Sequence, residues 1–171
     1  MGSVFNLNAG GLIDLQGGLF HVPTMTSAAS SVFFQKGGII RATGGEFRTD
    51  GGDRWGWPSI NEAGAEFAGN SVFSTYKQDQ VTVSPTADGK TARLEFSGTA
   101  AWTNRCNILN IGGSAGGRSV LSFDSDAAHG SPISGVKVVA SAVNVGIDSG
   151  YGELDVKKGY VPVYANGLPS R

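Results

Sequence analysis

The chain has 171 residues, 13 Lys and Arg against 14 Asp and Glu, and a formal charge of −1. Its single cysteine excludes an intrachain disulfide framework, and with 40% apolar residues its 27 glycines do not make a disordered linker. No basic cluster suggests a nucleic-acid partner, and no run approaches the eighteen or so apolar residues of a membrane helix, so neither nucleic-acid binding nor membrane insertion is expected.

Met1-Gly2-Ser3 lacks the charged and apolar regions of a signal peptide. The abrupt start and the ending Gly167-Leu168-Pro169-Ser170-Arg171 read as a single domain, 1–171, that is a segment of a longer parent chain. From there on a phrase of the form apolar, any, apolar, any, small keeps returning. It is Ile13-Asp14-Leu15-Gln16-Gly17, then Ile40-Arg41-Ala42-Thr43-Gly44, Phe67-Ala68-Gly69-Asn70-Ser71, Leu94-Glu95-Phe96-Ser97-Gly98 and Leu121-Ser122-Phe123-Asp124-Ser125, each 27 residues after the last. A sixth copy, Leu154-Asp155-Val156, follows after 33. A period of this size marks stacked units rather than one globular core.

Side chains at i and i+2 share a face of a strand. The alignment therefore predicts an inner column of Ile13, Ile40, Phe67, Leu94, Leu121 and Leu154, and a second of Leu15, Ala42, Gly69, Phe96, Phe123 and Val156. Between them lies an outward column of Asp14, Arg41, Ala68, Glu95, Ser122 and Asp155. The first two units agree further, because Gly17-Gly18-Leu19-Phe20 matches Gly44-Gly45-Glu46-Phe47. Leu15 and Phe20 are five apart, an odd number, so the Gly-Gly pair must turn a corner and reset the alternation. The corner before the phrase repeats too, as Val81-Thr82-Val83, Leu109-Asn110-Ile111-Gly112 and Val143-Asn144-Val145-Gly146. The six extra residues before Leu154 are expected in the polar loop around 124–132.

Loops on a regular scaffold are where function usually sits. Trp55 and Trp57 with Asp50, Asp53 and Arg54 could form a platform for a glycan, indole against the sugar's apolar face and carboxylates accepting its hydroxyls; cover for an open side of the coil is the plainer role. Asp124, Asp126 and Asp148 could offer oxygens to Ca²⁺, but the glycine-rich calcium nonapeptide is lacking, and solvated turn aspartates are the simpler expectation. No other cofactor is expected. His129 in that loop is expected to be solvated, His21 beside Arg48 to have a surface role, and Cys106 to be a small half-buried hydrophobe. No Gly-x-Ser-x-Gly, His-Glu-x-x-His or phosphate-loop motif occurs, so no catalytic residue is assigned.

Leu109-Asn110-Ile111-Gly112 through Phe123, and Val143-Asn144-Val145-Gly146 through Gly159, resemble the autotransporter-associated β-strand repeat: apolar-x-apolar-Gly, a glycine-rich turn, then Gly-x-Leu-x-Val-x-x-Gly. The resemblance covers roughly 107–164 well and 10–49 loosely, and Lys90 and Arg93 depart from it in the middle. It implies a right-handed parallel β-helix of a bacterial surface or secreted protein, and it carries no catalytic residue.

The expected fold is thus all-β, a single right-handed parallel β-helix of about six coils with a 27-residue period, about 30 Å long at the usual strand spacing. The expected role is a non-enzymatic extracellular structural or adhesive rod, able to self-associate through its open ends. A carbohydrate-binding or pectate-lyase-like polysaccharide-cleaving β-helix and a self-assembling fibre subunit are the alternatives.

Overall fold

The computed structural model describes residues 4–22, 32–50, 59–60, 64–85, 89–112, 116–127, 136–137, 142–146 and 150–160. Among them there is no helix, as the period-two alternation and frequent glycine breaks require. The strands follow one another in layers. The first layer is β1 (Val4–Asn8), β2 (Leu12–Leu15) and β3 (Leu19–Val22), and the second is β4 (Val32–Lys36), β5 (Ile39–Ala42) and β6 (Glu46–Asp50). Then come β7 (Ser59–Ile60), β8 (Ala65–Phe67), the long β9 (Val72–Val83), β10 (Thr91–Gly98), the long β11 (Ala101–Ile111) and β12 (Arg118–Ser125). The last are β13 (Val136–Lys137), β14 (Ala142–Val145), β15 (Tyr151–Val156) and β16 (Gly159–Tyr160).

Every pairing between these strands is parallel, and each joins a strand to its counterpart one layer away. The strands β2, β5, β8, β10, β12 and β15 make one six-stranded sheet in that order. An eight-stranded sheet runs β1, β4, β7, β9, β11, β14 and also holds β3 and β6. It contains two ladders because β9 and β11 each serve both: the first half of β9 continues β6, and its last residues continue β7. Where β9 and β11 pass from one ladder to the other, their register slips between Asn104 and Cys106. Over that stretch β9 advances one residue more than β11, the irregularity that bends a strand.

The register corrects one part of the sequence alignment. Ile13 lies beside Ile40 and Leu94 beside Leu121, as the 27-residue period requires, and Leu121 lies beside Leu154 across the 33-residue step. Between Ile40 and Leu94, however, stands Ala65 and not Phe67. Phe67 belongs two residues further along, between Ala42 and Phe96. The phrase in that layer is therefore Ala65-Glu66-Phe67, reached after 25 residues and left after 29, and the two deviations cancel. Glu66, not Ala68, continues the outward column, and Gly69 leaves the inner one for a turn with φ 57°. The physical reason is packing. A phenylalanine fills the space beside Ala42 that a glycine would leave empty.

Ile40, Ala42, Ala65, Phe67, Leu94, Phe96, Leu121 and Phe123 are all buried. Facing them is a second stack built from register partners Phe20, Phe47, Phe73 and Trp102. Consecutive ring centroids are 5.3, 6.0 and 5.0 Å apart. Phe67 and Phe96, 5.3 Å apart and stacked, interdigitate with this column. Burying each such ring contributes about 1.5–3 kcal/mol, so the aromatic stack is a large localised source of stability. Trp102 is also hydrogen-bonded within it: its Nε1–H donates to Thr75 Oγ1 at 3.0 Å inside the core.

The corner between β5 and β6 shows why glycine is needed. Gly45 has φ 74°, and a Cβ there would lie 2.5 Å from the Gly18 carbonyl oxygen of the layer beneath. The longer step to the last layer is 33 residues from Leu121 to Leu154 and 34 from Leu109 to Val143. The extra residues therefore lie between β12 and β14, the interval that contains the predicted polar loop.

Candidate functional site

The side chains singled out in the sequence fall in two places. Asp50 ends β6, with its side chain outside the described residues, as are Asp53, Arg54, Trp55 and Trp57 in full. Asp148 and His129 also lie outside them, and so does the side chain of Cys106 in β11. His21 is exposed and in register with Arg48.

Asp124 and Asp126, by contrast, are placed, and what faces them is cationic. The Lys158 Nζ donates to Asp126 Oδ2 at 2.9 Å and stands 3.9 Å from Asp124 Oδ1. The Lys157 Nζ lies 3.9 Å from Asp124 Oδ2 and 3.5 Å from Asp155 Oδ2. These lysines occupy the turn after β15, one layer above the aspartates, because Lys157 and Lys158 N–H both donate to the Phe123 carbonyl. The hydrogen bond to Asp126 holds the Lys158 ammonium above its ordinary pKa. Among the described residues no group of three or more His, Cys, Asp or Glu side chains is close enough to hold a metal ion.

At the other end of β15 the Arg118 guanidinium donates to Glu153 and lies 5.8 Å from the centroid of the Tyr151 ring. That hydrogen bond and the carboxylate's charge raise the Arg118 pKa further. On the neighbouring sheet Asn144 Nδ2 donates to Asn110 Oδ1 at 2.9 Å, an amide pair one layer apart. Both ends of β15, and β14 beside it, are thus tied to the previous layer by polar clasps on the outside. Surface pairs of this kind contribute little to stability but fix the register.

What these clasps present is the last layer itself. Val145 is 47% exposed and Val156 40%, while their column partners one layer back, Ile111 and Phe123, are 0%. Val143 and Leu154 are only partly buried against the core. The strands β14 and β15 have a partner on one side only among the described residues. A sheet edge with apolar side chains on its inner face can do one thing well, which is accept another strand. The sequence placed the candidate ligand sites on loops and also led to open ends being expected; the inner column running on to Leu154 and Val156 is the signal for this surface.

No family model, no curated protein and no solved structure matches this chain. Among the described residues no helix is long and apolar enough to cross a membrane.

Proposed function

We propose that the two parallel sheets close into a single right-handed β-helix of six coils, and that this coil serves as a non-enzymatic structural or adhesive rod outside a bacterial cell. The observation that carries it is the unbroken parallel pairing from β2 to β15, with an apolar column beneath it in every layer. Crossover connections between parallel strands of one sheet are right-handed in about 98% of cases, which sets the hand. The long strands β9 and β11, each belonging to two ladders, supply the continuity that closes one layer onto the next. The core is filled by stacked aromatic rings, and polar side chains such as Asn144 and Lys158 pair with the neighbouring layer, an arrangement suited to bearing load and spacing loops. The resemblance of 107–164 to the autotransporter-associated β-strand repeat agrees with a location at the cell surface.

Two measurements test the reading. Protease added to intact bacteria that make the protein is expected to remove it while a cytoplasmic control survives; protection from protease overturns the location. Incubation with a panel of plant and bacterial polysaccharides is expected to release no new reducing or unsaturated ends, and turnover of any of them overturns the non-enzymatic role.

A further inference from the structure

We infer that a second copy of this chain stacks head to tail on the first, β14 and β15 of one copy pairing in parallel with β1 and β2 of the next. This rests on the coiled-rod reading and names its partner.

Three independent features of the ends agree. The first is the backbone. The Leu15 carbonyl accepts from Thr43 N–H and the Gly11 carbonyl from Ile39 N–H, both at 2.9 Å, so these residues of the first layer turn their peptide groups inward to the second. In a parallel strand successive residues face opposite sides, so Leu12 and Asp14 turn theirs to the outer edge. At the far end Tyr151 N–H and Lys157 N–H donate backwards to Gly117 and Phe123, and Gly146 N–H to Ile111. Val145, Leu154 and Val156 therefore turn theirs forward. Laying Leu154 over Ile13 puts its amide and carbonyl against those of Leu12 and Asp14, the same phase that joins every inner layer.

The second feature is apolar. Continuing the ladders sets Leu154 on Ile13, Val156 on Leu15, Val143 on Phe5 and Val145 on Leu7. Each C-terminal member is exposed or partly buried where its predecessor is fully buried, and one more layer of the same pattern would cover it; on the first layer Phe5 and Ile13 are partly buried, while Leu7 and Leu15 are already buried. The third is the amide ladder. Asn6 stands in the same column as Asn110 and Asn144, and both Asn6 and Asn144 are exposed. A stacked copy brings Asn144 over Asn6 and extends the Asn110–Asn144 pair by one rung. One column opposes the contact: Asp155 comes over Asp14, although Lys157 is 3.5 Å from the former and Arg41 is in register with the latter.

The arrangement is heterologous, so it predicts a particular complementation. Val145→Lys with Val156→Lys blocks one end. Asn6→Pro blocks the other, since the peptide of Asn6 faces outward when that of Leu7 accepts from Gly38 across the ladder. All three positions are exposed, so circular dichroism and melting temperature are expected to stay near those of the parent protein. By sedimentation velocity over a concentration series, the full chain is expected to form elongated oligomers, each blocked variant to stay monomeric, and their equimolar mixture to stop at dimers. Asp14→Asn, which removes the like-charge contact, is expected to lower the concentration needed for assembly.

A parent chain monomeric at every concentration overturns the stacking, and so does a blocked variant that dimerises with itself, which would mean like ends meet. Assembly that appears only after residues 161–171 are removed also overturns it, since the chain's own tail would then be the cover. The rod is checked separately: Glu66→Cys and Glu95→Cys, register neighbours on the outside, should form a disulfide whether or not copies associate. Failure of that bond would sink the rod, whereas a monomer with that bond formed sinks only the stacking.

Discussion

Phe123 and Val156 occupy the same column, one layer apart, yet one is inaccessible to solvent and the other is 40% exposed. Ile111 and Val145 repeat the contrast on the other sheet. The side chains differ little in character. What differs is whether, among the described residues, a further layer lies above. In a stacked architecture burial is conferred by the neighbour, so stability is a sum over interfaces and the last interface is the weakest.

The comparison can be broken from the middle outward. Phe96→Ala empties a site lined by Phe67, Phe73, Trp102 and Phe123, and is expected to cost about 3–5 kcal/mol in urea unfolding. Val156→Ala in the last layer is expected to cost less than about 0.5 kcal/mol, and equal losses at the two positions would remove the gradient. Trp102→Phe keeps a ring in the stack but leaves Thr75 Oγ1 without its donor in a fully buried position, at an expected cost of about 1–3 kcal/mol. If Trp102→Phe is neutral, the hydrogen bond is not part of what holds the middle.

The smallest effect belongs to the clasp at the edge. Lys158 has its pKa raised above 10.5 by the hydrogen bond to Asp126, so what the pair contributes is complete below 10.5 and is lost as pH rises through the raised value. An NMR titration of the lysine ammonium groups is expected to show Lys158 deprotonating above 10.5 and falling back in Asp126→Asn, with little change in global stability. A titration unchanged by Asp126→Asn would mean that the clasp does not form.

Much of this was legible before any coordinates. The alternation in Ile13-Asp14-Leu15 states which side chains go inward, and the odd spacing from Leu15 to Phe20 announces the glycine corner that Gly18 and Gly45 make. The echo of Val81, Leu109 and Val143 was a ladder, and it is one. The error at Phe67 is instructive because the constant period hid it. Steps of 25 and 29 average to 27, and only the shape of the space beside Ala42 tells a phenylalanine from a glycine there. Trp102 was missed for a related reason: it continues the ladder of Phe20, Phe47 and Phe73, whose steps of 27, 26 and 29 residues depart from the constant period.

The amino-acid sequence by itself determined the strands, their inward and outward faces, the corners and the repeat that stacks them, since all of these follow from the two-residue period of an extended chain and the freedom of glycine. The tertiary structure alone decided the register in the third layer, the aromatic stack, and the pairing of Asp124 and Asp126 with Lys157 and Lys158. It also showed that Val145 and Val156 are exposed where Ile111 and Phe123 are buried. Those depend on volumes and distances between segments some thirty residues apart, which no periodicity encodes.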